Sequence, residues 1–142
     1  MPVLTITPQL RTTDLDRSIR FFTERVGLEL EFCHADFYAG VRCGGGSFHL
    51  KLVDTPDPSI AFVNEGGHLH LYLGVDDIDS FGERLRAAGV ELIQPPCNTD
   101  WGTRELVFHD DQGHTIYAGM PVSPANKSLE RRREGSDSNA VR

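Results

Sequence analysis

The stretch DLDRSIRFFTERVGLEL at residues 14–30 is echoed later in the chain by DIDSFGERLRAAGVEL at residues 77–92. The opening aspartates, Asp14 and Asp77, are 63 residues apart, and Gly27 and Gly89 near the ends are 62 residues apart. In each stretch the aspartate stands in N-cap position before apolar residues at helical spacing, and the glycine stands where helices commonly end. The chain is therefore predicted to contain two similar halves, each with one helix.

Short segments of strand type surround these two helices. They span residues 3–11, 28–33, 47–53, 68–75, 104–109 and 115–119, with 37–42 as a weaker strand. Stretches rich in glycine or proline, such as Gly44-Gly45-Gly46 and Pro95-Pro96, separate several of them. Each half reads as a strand, a helix and up to three strands. This order predicts an α+β fold of two βαβββ modules, at about residues 3–60 and 67–120.

Length and composition are those of one soluble domain. The chain has 142 residues, of which 39% are hydrophobic and 25% charged, and no apolar run approaches the roughly 20 residues that span a bilayer. Its N-terminus lacks the features of a signal peptide. Three widely spaced cysteines, Cys33, Cys43 and Cys97, indicate reduced thiols. We expect a cytoplasmic protein without a membrane role.

Charge is distributed unevenly between residues 1–120 and the remainder of the chain. Residues 1–120 carry 9 basic and 18 acidic side chains, whereas the basic run Arg131-Arg132-Arg133 lies near the C-terminus. An acidic domain repels phosphate backbones, so nucleic acid is not an expected partner. Residues 121–142 have almost no large apolar side chains and are predicted to be a disordered tail behind a domain at 1–120.

Alternation along the strands predicts which side chains are available to a ligand. In residues 68–75, for example, Leu71 and Leu73 share the face that packs on helices, which leaves His70 and Tyr72 on the other face. The same reasoning over all strands collects one set of residues on this second face: Thr7, His49, Lys51, His70, Tyr72, Glu105, His109 and Tyr117. The alternative is a solvated polar face without function, which antiparallel sheets commonly have.

Several motifs, taken in order, resemble the vicinal oxygen chelate superfamily of glyoxalases, extradiol dioxygenases and bleomycin resistance proteins. They are residues 10–22, residues 67–77, Trp101-Gly102-Thr103-Arg104-Glu105 and Asp110-Asp111-Gln112-Gly113-His114. The resemblance covers residues 3–120. It implies two modules that form a curved mixed sheet with helices on the convex face and a ligand in the concave face. It also implies a homodimer that sets modules of two chains side by side.

Metal-dependent members of that superfamily take one ligand from each of four strands. The corresponding positions here are Thr7, His49 or Lys51, His70 and Tyr117. Only His70 clearly matches, and threonine and tyrosine are weak ligands for a catalytic divalent metal. The sequence thus favours a protein without a cofactor. A divalent metal held by His49, His70 and either Glu105 or His109 is the alternative.

Two classes of function remain open. One is a metal-free binding protein for a cationic or planar small molecule, in which Trp101 offers a stacking surface unless it merely packs its turn. The other is a metal-dependent lyase, isomerase or dioxygenase around His70, or a metal-free enzyme with His70 as general base. Two further residues are predicted to lie outside the ligand site: Arg104 forms a structural ion pair or a hydrogen bond to a loop, and His114, after its turn, has a structural or surface role.

Overall fold

The computed structural model describes residues 1–122, and the predicted disordered tail lies almost entirely outside them. Eight strands and three α-helices follow one another in an order that repeats. The first half comprises β1 (Gln9–Thr12), α1 (Leu15–Arg20, continued by a π-helical turn at Phe21–Arg25), β2 (Glu29–His34), β3 (Tyr38–Cys43) and β4 (Gly46–Leu52). The second comprises α2 (Ser59–Gly66), β5 (Leu71–Gly74), α3 (Ile78–Ala87), β6 (Leu92–Asn98), β7 (Thr103–His109) and β8 (Thr115–Pro121).

The ends of α1 and α3 show why the sequence repeat produces a structural repeat. Asp14 and Asp77 adopt nearly identical extended conformations, and each side chain accepts a hydrogen bond of 3.1 Å from the backbone N–H three residues later. Gly27 and Gly89 follow the two helices with φ of 88° and 84°. A positive φ is unfavourable for residues with a Cβ, so both glycines suit these chain reversals.

The strands form two four-stranded mixed sheets, ordered β1-β4-β3-β2 and β5-β8-β7-β6. β1 pairs in parallel with β4, and β5 pairs in parallel with β8, while all other pairs are antiparallel. Helix α1 packs on β3 and β4, and α3 packs on β6, β7 and β8. The predicted α+β class is confirmed.

The apolar faces of both sheets and their helices meet in one core. Its largest fully buried side chains include Phe22 and Leu50 of the first half and Ile78, Phe108 and Ile116 of the second. Burying each contributes roughly 1.5–3 kcal/mol.

The two halves also contact each other directly. The rings of Phe21 and Phe108 lie 6.4 Å apart, and Ser18 Oγ donates to Asp111 Oδ2 at 2.7 Å. Helix α1 is therefore held by contacts to both halves.

The predicted first strand is wrong in its extent. The strand begins at Gln9 rather than near Val3, and Val3, Leu4 and Ile6 are exposed. Pro8 has no N–H to donate to a ladder, although its carbonyl accepts from His49 N at 2.8 Å. The alternating pattern before Pro8 suits a strand, but residues 1–122 supply no partner strand for it.

Regular structure also occurs in residues 54–66 and 94–103, two segments for which the sequence predicts neither a helix nor a strand. Helix α2 occupies Ser59–Gly66, and β6 continues through Pro95 and Pro96 to Asn98. Proline is tolerated in β6 because it is an edge strand, where a missing N–H costs no ladder bond. The pairing of β6 with β7 shifts register around these prolines.

Candidate functional site

The side chains predicted to face a ligand are divided between the two sheets. In the first sheet the predicted His49 lies beside Gln9, Phe32 and Tyr38, and Lys51 lies opposite Tyr38 in register; we call these five the first cluster. In the second sheet the predicted Tyr72, Glu105 and Tyr117 lie with Thr103, and these four form the second cluster. Phe32, Tyr38, Gln9 and Thr103 were not predicted.

The first cluster is an aromatic surface with a hydrogen-bonded edge. The Tyr38 hydroxyl lies 2.9 Å from His49 Nδ1 and accepts from Gln9 Nε2 at 3.2 Å. The ring of Phe32 stacks on Tyr38 at 6.2 Å and meets His49 edge-on at 5.3 Å. A Cβ at Gly40 would overlap the Phe32 ring, so the glycine lets that ring lie flat across β3.

The second cluster is organised around the buried carboxylate of Glu105. Its Oε2 accepts hydrogen bonds from the Tyr72 hydroxyl at 2.7 Å and from Thr103 Oγ1 at 2.9 Å. Desolvation, reinforced by the neighbouring Glu105, raises the pKa of Tyr72 to about 12. A Cβ at Gly119 would overlap the Tyr72 hydroxyl, so this contact depends on glycine there. The Tyr117 ring lies 6.5 Å from that of Tyr72.

His70, the residue on which the enzymatic hypotheses depend, lies just before β5 with both ring nitrogens engaged. Its Nδ1 accepts from the backbone N–H of Thr115 at 3.0 Å, which places the ring proton on Nε2, 3.1 Å from Ser59 Oγ. Burial and the charge of His114 lower the pKa of His70. A neutral imidazole without a free lone pair is poorly arranged to act as a general base or metal ligand.

His114 is almost completely buried, at 1% exposure, and belongs to the structure of the β7–β8 turn. Its Nδ1 donates to Asp110 Oδ2 at 2.7 Å, and its backbone N–H donates to Asp110 Oδ1 at 2.8 Å. Nε2 points toward Asp57 Oδ2, 3.6 Å away. Burial alone would lower the pKa of His114, but the hydrogen bond and charge of Asp110 outweigh it and raise the pKa.

The other residues singled out in the sequence lie outside the two clusters. Trp101 is 70% exposed in the turn before β7, so it does not merely pack that turn. Arg104 forms the expected ion pair, with Asp79 at 3.1 Å. His109 lines a different cavity beside α1. Thr7 is exposed ahead of β1.

The four positions that correspond to metal ligands do not assemble a suitable donor set. Thr7 is outside the sheet, both nitrogens of His70 are in use, and Tyr117 offers only a phenol. Within residues 1–122, no group of three or more histidine, cysteine, aspartate or glutamate side chains is placed to hold one ion. The residues present do not fit the superfamily's usual metal.

This fold agrees with comparisons to known proteins. A model of the glyoxalase/bleomycin resistance protein/dioxygenase superfamily matches residues 4–117, and the chain belongs to that superfamily. It is 29% identical to a probable lactoylglutathione lyase of Vibrio cholerae, over 75% of this chain and 83% of the relative.

Solved structures agree on the fold. TnmS3, an antibiotic binding protein from Streptomyces sp. CB03234, matches with a TM-score of 0.64 and 27% identity, over 85% of this chain and 99% of that one. TioX from Micromonospora sp. ML1 matches with a TM-score of 0.66 and 22% identity, over 84% and 98%. No helix in residues 1–122 is long and apolar enough to cross a membrane.

Proposed function

We propose that this protein binds a planar, cationic small molecule without a metal, on the polar and aromatic faces of its two sheets. The observation that carries the proposal is exposed aromatic surface beside hydrogen-bonded polar groups. Phe32, Phe37, Tyr72 and Trp101 are 37%, 44%, 45% and 70% exposed. Aromatic rings stack on planar ligands, and they also attract cations.

Charge supports the choice of a cation. Residues 1–120 carry twice as many acidic as basic side chains, and the second cluster contains the Glu105 carboxylate, which accepts a hydrogen bond from the Tyr72 hydroxyl. TnmS3, described as an antibiotic binding protein, shows that a relative with this fold binds small molecules.

A homodimer is part of the proposal because the two clusters lie on separate sheets. The dimer implied by the family resemblance sets the first cluster of one chain beside the second cluster of its partner. Val3, Leu4 and Ile6 are each at least 85% exposed and would be covered by such a partner. Analytical ultracentrifugation tests this directly, and a monomer at micromolar concentration would contradict it.

The alternative function is a metal-dependent enzyme, favoured by the relative described as a lactoylglutathione lyase. Elemental mass spectrometry distinguishes a metal-dependent enzyme from a metal-free binding protein. Protein purified without chelator, and protein incubated with Ni, Zn, Mn or Fe(II), should retain no stoichiometric metal. Stoichiometric metal that is lost in His49→Ala or His70→Ala would overturn the metal-free proposal.

Ligand binding can be followed through Trp101, the only tryptophan in the chain. Proflavine, a planar aromatic cation, should quench its fluorescence, whereas the planar anion anthraquinone-2-sulfonate should bind at least tenfold more weakly. Calorimetry on Trp101→Ala should show weaker proflavine binding. The matched control is Phe62→Ala, which removes an aromatic ring of similar exposure, 73%, from α2. Equal losses in both variants would contradict a site at Trp101.

A further inference from the structure

Glu105 is a buried carboxylate without a positively charged partner. Within residues 1–122 the buried acidic side chains are Glu105, 6% exposed, and Asp110, 7% exposed. Carboxylates are rarely buried unpaired, because removing a charge from water is costly. Asp110 has a basic partner, His114, at 2.7 Å. Glu105 forms no ion pair with any residue of the described chain, so its charge is left uncompensated.

The groups that do bond Glu105 are two neutral hydroxyls, and both reach the same oxygen. Oε2 accepts from the Tyr72 hydroxyl and from Thr103 Oγ1, which itself lies 2.8 Å from Thr99 Oγ1. Burial raises the pKa of Tyr72 to about 12, so its hydroxyl remains a proton donor. These bonds fix the orientation of the carboxylate but supply no positive charge.

The other oxygen, Oε1, is open to a ligand. No donor of residues 1–122 bonds it. It is not enclosed either, since the unpartnered side-chain atoms that are enclosed in that range are Asp111 Oδ1 and His114 Nε2. Glu105 alternates along β7 with Leu106, which is fully buried in the core. Oε1 is therefore reached from the sheet face opposite the helices, the face predicted to hold the ligand.

Two tyrosine rings lie beside this carboxylate. Tyr72 of β5 and Tyr117 of β8 are register partners, and their ring centroids are 6.5 Å apart with the planes tilted by 34°. Tyr72 is 45% exposed and Tyr117 is half-buried. The faces of aromatic rings attract cations, and a carboxylate forms its strongest hydrogen bonds with charged N–H groups. Together these groups have the chemistry that recognises an ammonium group carrying at least one N–H.

We propose that Glu105 Oε1 binds a protonated primary or secondary amine of the ligand, with the rings of Tyr72 and Tyr117 beside the charged nitrogen. The ligand is then an aromatic skeleton that carries an amine, rather than a quaternary cation or a neutral planar molecule. This inference rests on the proposed function, because it concerns the ligand of the same face, and it adds the group by which the cation is recognised.

The first test compares three probes that share one aromatic ring system, using the full chain. They are 1-naphthylmethylamine, its N,N,N-trimethyl derivative and the neutral alcohol 1-naphthalenemethanol. In calorimetry the amine should bind roughly tenfold more tightly than either other probe, the effect of one hydrogen bond to a charged group. In amide NMR spectra it should shift signals of residues 72–74, 103–105 and 117–119. Absent binding, equal binding of the trimethyl derivative, or shifts that avoid these residues would overturn the proposal.

A pair of variants then tests the carboxylate itself. Glu105→Gln retains the size of the side chain but removes the charge, so the amine should bind roughly tenfold more weakly and the alcohol about equally well. Glu83→Gln, at an exposed position of α3, is the matched control and should leave both affinities unchanged. Equal losses of amine affinity in the two variants would show a general effect of protein charge and would overturn the assignment of Glu105.

Stability distinguishes a ligand-binding carboxylate from a structural one. Without ligand, Glu105→Gln removes a buried, uncompensated charge, so the midpoint of urea unfolding should stay equal or rise. A lowered midpoint would identify a structural role and overturn the proposal.

The two proposals for this face also fail separately. Proflavine quenching of Trp101 without any preference for the amine probe would refute the amine site and retain the planar-cation function. Amine binding that is lost in Glu105→Gln, in a protein that does not bind proflavine, would do the reverse.

Discussion

Replacing Asp110 by asparagine should destabilise the fold strongly, and the size of the effect follows from the contacts of His114. Asp110 is 7% exposed and His114 1% exposed, and the carboxylate accepts both the imidazole Nδ1–H at 2.7 Å and two backbone N–H groups. Removing one partner of a buried, charged pair costs about 3–5 kcal/mol. Since asparagine retains one acceptor oxygen, we expect the lower end, about 3 kcal/mol, or a Tm lower by roughly 10 °C.

The loss should depend on pH in a definite direction. The pKa of His114 is raised in the folded state, so its charged form stabilises the protein fully below the unfolded pKa of about 6.5. That contribution disappears as pH rises through the raised folded pKa. The difference in free energy of unfolding between wild type and Asp110→Asn should therefore be largest near pH 6 and shrink toward pH 9.

Urea unfolding followed by circular dichroism at these two pH values measures both effects. The matched control is Asp79→Asn, since the carboxylate of Asp79 is 60% exposed in its pair with Arg104, and exposed pairs contribute only about 0–1 kcal/mol. An Asp110→Asn loss no larger than that of Asp79→Asn would refute the reasoning. A loss of equal size at pH 6 and pH 9 would refute the charged state of His114.

Two further predictions concern the helix caps and the second cluster. Asp14→Ala should lower the free energy of unfolding by about 1 kcal/mol, because it removes one N-cap hydrogen bond, and Asp77→Ala should lower it by more, because Asp77 also accepts from Ser80 Oγ at 2.8 Å; a smaller loss for Asp77→Ala in urea melts would contradict this account of the two caps. Gly119→Ala should displace the Tyr72 hydroxyl from Glu105 and weaken proflavine binding severalfold. Gly45→Ala, in a turn with open space around it, should leave binding unchanged.

Much of the fold could be predicted because it depends on local chemistry. Asp14 and Asp77 cap helices through bonds three residues away, and a period of two assigns Leu71 to the core and Tyr72 to the opposite face. These preferences act within a few residues and do not depend on the rest of the chain. For the same reason the family motifs could be recognised without a structure.

Other features depend on partners that sequence patterns do not reveal. The segment before Pro8 alternates like a strand but has no neighbouring strand among the described residues 1–122, and β6 tolerates two prolines because it lies at a sheet edge. The π-helical turn and α2 also had no clear signal. Strand extent is set by hydrogen bonds to distant segments, and these bonds exist only after the sheet has formed.

The candidate site shows the same division. Strand periodicity alone assigned His49, His70, Tyr72, Glu105 and Tyr117 to one face of their predicted strands. Tertiary contacts place His49 in the first cluster and Tyr72, Glu105 and Tyr117 in the second, and they leave His70 outside both and set its protonated nitrogen. That tautomer is dictated by the backbone N–H of Thr115, 45 residues away in the chain. The face of a strand on which a side chain lies depends on that strand alone. Distances between side chains, and the position of the His70 ring proton, depend on atoms that folding brings together.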